Sequence, residues 1–319
     1  LPVVLPHITA EQITLENISA IDLSKHFALN QATGTVEKLT WLPGQWPTFE
    51  YQGKLGEFTD GLFQLTDMQG EGRLRDQDWR LQLEGAAYAG QFNADLEGNR
   101  QPATLTINDL QLNNMQPELR PGWHEWLAAQ PFQQIDLRRL DVSHFSLISF
   151  DDSVPLTMKW LDLFLTDLRW TPQGLQNSSH KSRLEGSWLE LVWQTLVSRK
   201  AEFQAEMADN AVQLKQFTTQ LEESALNISG QWGLKADIPH QLKLSLKNFD
   251  LEQLSDMWGP RYPFAGQANL TVDLQAQGQD WNGIKSSLKG AATLDIQDLF
   301  VNGLTLDAYL DALLTPKAP

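Results

Sequence analysis

The chain contains no cysteine among its 319 residues. This absence excludes disulfides, thiolate metal sites and cysteine nucleophiles together. It also suits an oxidising compartment, in which a stray thiol is a hazard. The sequence therefore points away from redox and thiol chemistry.

Basic residues are also scarce, since 24 Lys and Arg stand against 40 Asp and Glu and the formal net charge is −16. A nucleic-acid binder needs Lys and Arg to displace counterions, so no nucleic-acid partner is expected. Broad electrostatic docking on an anionic membrane is disfavoured for the same reason.

Long apolar runs are missing as well, because a membrane-spanning helix needs roughly 20 mostly apolar residues. The apolar run around Trp160 is broken by Asp162 and Asp167. The chain begins at Leu1 rather than Met. We expect a fragment, with a signal peptide or membrane anchor upstream of Leu1.

Recognisable catalytic motifs are lacking. His124-Glu125 begins like a zinc-protease motif, but Ala128 stands where the second His belongs. The stretch "GEGRLR" begins like a dinucleotide fingerprint, but Arg75 replaces the third glycine. We therefore predict that the protein is not an enzyme and has no catalytic residue, no metal site and no cofactor.

What the sequence does contain is alternation of apolar and polar residues with a period of two. In "NLTVDLQAQ", Leu270, Val272 and Leu274 point one way, and the polar residues between them point the other way. Similar segments recur along the chain, separated by Gly, Asn and Asp at turn-like intervals. This pattern is typical of antiparallel sheet with one apolar face.

Two stretches, "TLTINDLQLNNMQPELRPGW" and "KLSLKNFDLEQLSDMWGPRY", repeat one pattern. In each, the apolar parity slips by one residue, after Ile107 in the first and after Leu246 in the second. Such a slip needs a bulge or a bend to keep the side chains on one face. We expect a strand, a bend and a short helix in each copy, and a third helix over 304–314. The segment "SWLELVWQTLVSRK" fits either a helix or a long strand, and the repeat indicates a sheet built of recurrent units.

The block from "LKLSLKNFDLEQL" to "NGLTLD" resembles the C-terminal region of the AsmA-like family. That region runs as a strand, a D-L-x-x-L helix, an apolar-x-G element, an alternating strand ending in x-G, an L-x-G turn and a further strand. The corresponding positions are Asp250, Leu251, Leu254, Phe264, Gly266, Leu270, Val272, Leu274, Gly278, Leu288, Gly290, Leu294 and Ile296. The family usually continues with a Gly-Ile-Asp-Leu-like element, of which Gly303 and Asp307 are the remnants here.

The resemblance implies a periplasmic protein that is anchored in the inner membrane of Gram-negative bacteria by a helix upstream of this fragment. AsmA-like proteins are related to bridge-like lipid transfer proteins, and are implicated in moving phospholipid to the outer membrane. The expected fold is mostly β: an elongated, curved antiparallel sheet of repeated units with an apolar groove and a few short helices. We divide the chain into an N-terminal β-repeat region, 1–130, and a C-terminal AsmA-like region, 131–319, which can continue the first.

The expected groove would be lined by alternating apolar residues, and its ligand would be the acyl chains of phospholipid. The core of a β-sandwich would give the same alternation, so periodicity alone does not separate the two. The 12 Trp residues likewise fit either core packing or an apolar groove and bilayer interface. The candidate lipid-binding residues are Phe92, Ala94, Leu96, Leu244, Leu246, Leu270, Val272, Leu274, Leu294 and Ile296.

Two other functions stay open at this point. The protein could be a structural or assembly factor that binds outer-membrane proteins or other outer-membrane components through its sheet edges. A hydrolase would use carboxylates such as Asp151, Asp152 or Glu185, but no paired carboxylates stand in a recognisable context. Lipid transfer contributing to outer-membrane biogenesis is the function that the resemblance favours.

Overall fold

The computed structural model describes residues 7–22, 27–42, 45–60, 63–119, 132–149, 155–172, 174–177, 181–193, 196–235, 237–252, 264–278 and 280–301. These parts form 18 strands and one helix, α1 (Trp281–Ser287). The strands are β1 (Ile8–Asp22), β2 (Phe27–Trp41), β3 (Thr48–Asp60), β4 (Phe63–Arg75), β5 (Asp78–Ala87), β6 (Gly90–Arg100), β7 (Ala103–Asn113), β8 (Glu118–Leu119), β9 (Gln134–Ser149), β10 (Leu156–Thr171), β11 (Gly174–Asn177), β12 (Ser182–Trp193), β13 (Leu196–Ala208), β14 (Ala211–Leu221), β15 (Ser224–Gly233), β16 (His240–Asp250), β17 (Phe264–Ala276) and β18 (Lys289–Val301).

All of these strands belong to one sheet. From β1 to β7, and again from β9 to β18, each long strand pairs antiparallel with the next long strand along the chain. The short strand β11 extends the pairing of β10, which also pairs with β12. The expected fold is confirmed: the molecule is an open, curved and mostly antiparallel sheet.

The sheet has one parallel pair of long strands. β7 and β9 run side by side in the same direction, with Leu110 opposite Leu140, and β8 pairs parallel with the far end of β9. Because β7 and β9 are parallel, β9 starts beside the start of β7, and the chain must return there after β7 ends. This pair joins the strands on either side of residue 130, and the division into 1–130 and 131–319 stays a prediction.

Bulges occur where the parity of the repeated stretches slips. In the first copy the register shifts between Ile107 and Asp109, opposite Leu96 and Asp95. In the second it shifts between Leu246 and Phe249, where Asn248 has a positive φ of 54°. The bulge keeps Phe249 on the side of the sheet that Leu246 occupies, and both pack in one cluster. Of the bulge or bend that the slip requires, the structure has a bulge in both copies, and bulges bend the strands that contain them.

The two copies diverge after the bulge. The first leads to the parallel strand β9 and the second to the antiparallel strand β17. The helix expected after the first copy is wrong at its start, since residues 114–117 are irregular and Glu118–Leu119 is a strand. The rest of that helix, most of the second and the third over 304–314 lie outside the described residues.

The sequence did not predict the secondary structure of two segments correctly. The segment "SWLELVWQTLVSRK" forms neither a helix nor one long strand, but the end of β12 and the start of β13, with Trp193 opposite Leu196. Helix α1 was not expected, although the side chain of Asp280 caps it by accepting a hydrogen bond from the Gly283 N–H. Among the helices of the described residues, none has the length and apolarity needed to cross a bilayer.

Candidate functional site: a continuous apolar face

One face of the sheet carries an uninterrupted row of apolar residues and glycines. The row is found by following the residues that lie directly opposite one another from each strand to the next. It has sixteen members, one on every long strand: Leu15, Gly34, Gly53, Gly70, Leu83, Ala94, Leu110, Leu140, Leu165, Leu184, Ala205, Leu214, Gly230, Leu242, Leu274 and Gly290.

Further apolar rows flank this first row on the same face. One flanking row crosses nine strands through Ile13, Val36, Tyr51, Gly72, Leu81, Leu96, Ile107, Leu137 and Leu168. Another crosses eleven strands through Phe92, Leu112, Val142, Leu163, Gly186, Phe203, Phe217, Ile228, Leu244, Val272 and Ala292. The apolar stripe is thus several residues wide along each strand.

All ten candidate lining residues lie on this face. Ala94 and Leu274 belong to the first row, Leu96 to one flanking row, and Phe92, Leu244 and Val272 to the other. Leu246, Leu270 and Leu294 are directly opposite one another, and Ile296 follows Leu294 on the same side. Their contact with lipid stays a prediction.

In the described parts, each strand makes its main strand contacts with its neighbours in the sheet, so no second layer of strands packs on the apolar face. In β5 the apolar face is less exposed than the other face: Trp79, Leu81 and Leu83 are half-buried, whereas the residues between them are exposed. With neighbouring strands about 4.8 Å apart, sixteen strands give an apolar track of about 70 Å.

The track is hollowed where β2, β3 and β4 lie side by side. Gly34, Gly53 and Gly70 are consecutive members of the first row and present no side chain. The cavity over them has a volume of about 210 Å³ and is walled mainly by Leu15, Leu29, Val36, Tyr51, Leu55, Met68 and Leu83. Burial raises the pKa of the Tyr51 phenol, as expected of a group in apolar surroundings. An apolar cavity of about 150 Å³ is large enough to hold benzene, so this one can receive part of a hydrocarbon chain.

The opposite face is charged, and its ions are paired across strands. Glu206 of β13 is buried and forms ion pairs with Lys181 and Lys215. Hydrogen bonds from Lys181 and Lys215 lower the pKa of Glu206. Glu50 of β3 is held in the same way, since hydrogen bonds from Lys38 and Arg75 lower its pKa. These pairs join neighbouring strands from the polar side and leave the apolar face free of charge.

The ion pairs of Glu206 predict a loss of stability in acid. Because its pKa is lower in the folded chain than in the unfolded one, its contribution is complete above the unfolded pKa, near 4.5, and disappears as pH falls through the folded pKa. Glu206→Gln should lower the melting temperature at pH 7, and its difference from wild type should shrink below about pH 4.5. Melting curves from pH 7 to pH 3 test this, with exposed Glu202→Gln on the same strand as the control. A difference that stays constant with pH contradicts the assignment.

Groups suited to catalysis are dispersed. Among the described residues, no three His, Cys, Asp or Glu are grouped so that they could hold a metal ion. Glu185 lies on β12 and is half-buried, with its Oε1 3.7 Å from Nε of Arg183. Asp151 and Asp152 lie outside the described residues. The hydrolase hypothesis therefore gains no support from the arrangement of carboxylates that the structure describes.

The described residues form an open sheet with a long apolar face, on which no second sheet packs, and a charged opposite face. This arrangement defines a class of protein suited to holding extended apolar ligands. Residues 191–316 match the model of the AsmA family, so the AsmA-like assignment is confirmed for this part of the chain. The match contains the second of the two repeated stretches. No curated protein and no solved structure matches the chain at a significant level. The match of residues 191–316 to the AsmA family fits a role in lipid transport or outer-membrane biogenesis.

Proposed function

We propose that this protein shields phospholipid acyl chains on its apolar face and transfers phospholipid between the inner and outer membranes. The observation that carries the proposal is the row of sixteen opposed apolar residues and glycines, which no polar side chain interrupts. A closed β core would need a second layer against this face. Within the described residues the face is covered by no second sheet.

The energetics of lipid transfer explain why such a face is useful. About 30 methylenes in two acyl chains, at about 0.8 kcal/mol each, oppose transfer through water by about 25 kcal/mol. Apolar side chains that replace water along the route remove most of this barrier without any reactive group. The polar head group can stay in solvent, so the lipid need not enter the sheet completely.

The cellular setting is part of the proposal. We place the protein in the periplasm, attached to the inner membrane by an anchor upstream of this chain, with outer-membrane components as further partners. Its action is non-enzymatic and needs no cofactor. The support comes from the AsmA match and from the absence of cysteine, which suits an oxidising compartment.

Co-purification tests the proposal directly. The chain is purified from bacteria, extracted with organic solvent and examined by mass spectrometry, and we expect phospholipid in the extract. Added phospholipid should also shift the tryptophan fluorescence of the delipidated protein, because Trp79 and Trp188 lie on the apolar face. An empty extract together with unchanged fluorescence contradicts lipid binding and favours the assembly role.

The assembly role keeps one observation in its favour. β18 pairs with β17 along one side, and no other described strand pairs with it. Leu294, Leu299 and Phe300 of this strand are exposed. A strand with one unpaired edge is a template for the addition of a strand from another protein.

A further inference from the structure

Among the described residues, the two margins of the sheet, where the strands end and turn, differ in tryptophan content. Nine tryptophans lie in the described parts, and six of them lie at one margin, which we call the tryptophan margin. This margin comprises the described residues of seven connections and the three strand residues on either side of each. The connections are β2–β3, β4–β5, β6–β7, β10–β12, β13–β14, β15–β16 and β17–β18. The starts of β1 and β9 lie at the same margin and are included. Its tryptophans are Trp41, Trp46, Trp79, Trp170, Trp232 and Trp281.

Trp79, Trp170 and Trp232 lie on the apolar face, and four of the six tryptophans are open to solvent. Trp79 and Trp170 belong to one row of opposed residues that runs through Leu105 and Ile135. Trp46, Trp170, Trp232 and Trp281 are exposed to 57%, 40%, 53% and 71%. A tryptophan ring with an apolar body and one N–H donor is suited to the boundary between hydrocarbon and polar groups.

Several of the rings are held in place by neighbours. The guanidinium carbon of Arg100 lies 4.0 Å from the ring centroid of Trp46. The ring of Trp232 lies 4.1 Å from that of the buried His240. Nδ1 of His240 accepts a hydrogen bond from the Gly233 N–H, so its Nε2 carries the proton and donates to the Gly278 carbonyl. These two hydrogen bonds hold the imidazole ring of His240, against which the ring of Trp232 lies.

The margins also differ in charge, although the whole chain is strongly acidic. The tryptophan margin has ten basic residues (Arg73, Arg75, Arg80, Arg100, Arg169, Lys181, Arg183, Lys235, Lys285 and Lys289) against eight acidic ones (Glu50, Asp76, Asp78, Asp136, Glu206, Asp209, Asp237 and Asp280). The opposite margin, delimited in the same way, has among its described side chains no Lys or Arg and six acidic residues: Asp22, Glu118, Glu222, Glu223, Asp250 and Glu252. A phosphate would be repelled from the opposite margin and tolerated at the tryptophan margin.

We propose that the track is polarised: lipid lies across the strands' apolar face with its phosphate head group at the tryptophan margin and its acyl chains toward the opposite margin. This inference rests on the proposed lipid function and adds an orientation to it. One leaflet of a bilayer core is about 15 Å thick, so an acyl chain needs about five strand residues, which the stripe supplies. The occupant is a glycerophospholipid with an anionic phosphate.

Quenching by spin-labelled lipid tests the orientation. Delipidated protein is loaded from phosphatidylglycerol vesicles that contain lipid with a nitroxide either on the head group or at the end of an acyl chain, and is re-isolated from the vesicles. Bound lipid is measured as phosphate. A margin variant carries W46F, W170F, W232F and W281F, and a control variant carries W160F and W193F, which replace exposed tryptophans away from this margin.

We expect the head-group nitroxide to quench wild type and the control variant, and to lose about half or more of its effect in the margin variant. Loading should change little in either variant, and quenching by the acyl label should change little in the margin variant. Equal loss in both variants, or loss in the control variant alone, overturns the orientation while lipid binding stands. Protein that carries no lipid after re-isolation overturns the lipid function itself, and the orientation with it.

Discussion

Replacement of Val272 by Glu is expected to reduce phospholipid transfer between vesicles by about tenfold or more, because an ionised carboxylate on the apolar track costs several kcal/mol when hydrocarbon covers it. Val272 lies between Leu244 and Ala292 in a flanking row of the apolar face. Lipid that enters or leaves at the β18 end of the sheet must pass this position. A fluorescent phospholipid that is dequenched on reaching acceptor vesicles measures the rate.

Thr271→Glu is the matched control for this change. Thr271 is the adjacent residue, is also β-branched, and is exposed on the opposite face. The same charge there should leave transfer near the wild-type rate, because water continues to solvate it. Equal loss of transfer in both variants would mean that general acidity or misfolding, rather than an interrupted apolar track, causes the effect.

Replacement of Phe249 by Ala is expected to destabilise the C-terminal part of the sheet by about 3 kcal/mol or more, as is usual when a buried aromatic side chain is removed. Phe249 is 6% exposed and packs with Leu251 and Ala268, and with the half-buried Leu246 and Ile296. It occupies this site because the bulge after Leu246 turns it toward the apolar face. Hydrogen exchange of β16 and β17, together with urea unfolding, measures the loss.

Phe300→Ala is the control, because it makes the same Phe-to-Ala replacement at an exposed site. Phe300 lies on β18 and is 60% exposed. Its removal should alter stability by no more than about 0.5 kcal/mol, as is common for surface positions. A similar cost at both positions would argue against a buried cluster at the bulge.

Much of the sheet can be predicted from local patterns in the sequence. The alternation of Leu270, Val272 and Leu274 requires one apolar face, since successive side chains of a strand point to opposite sides. The slip between Leu246 and Phe249 requires a bulge or a bend for the same reason, and a bulge is present. All ten candidate lining residues could be placed on one face because each lies in a strand of regular period.

Other features depend on contacts that no local pattern encodes. The parallel pairing of β7 with β9 joins residues on either side of a long connection. The second repeated stretch has nearly the same sequence as the first, yet its strand β16 pairs antiparallel with the following strand, β17. "SWLELVWQTLVSRK" contains a turn between two strands, which its continuous apolar content conceals. The tryptophan margin could not be predicted from the sequence either. The strand bounds and directions must be known before its tryptophans can be assigned to the same margin of the sheet.

Lipid photo-crosslinking along β16 tests the central claim most directly. A photoreactive amino acid is placed in turn at Leu242, Lys243, Leu244, Ser245 and Leu246, and lipid adducts are detected by mass spectrometry in cells that carry each variant. An apolar face open to acyl chains predicts strong adducts at Leu242, Leu244 and Leu246 and weak ones at Lys243 and Ser245. Adducts at none of the five positions, or at all of them equally, would contradict it.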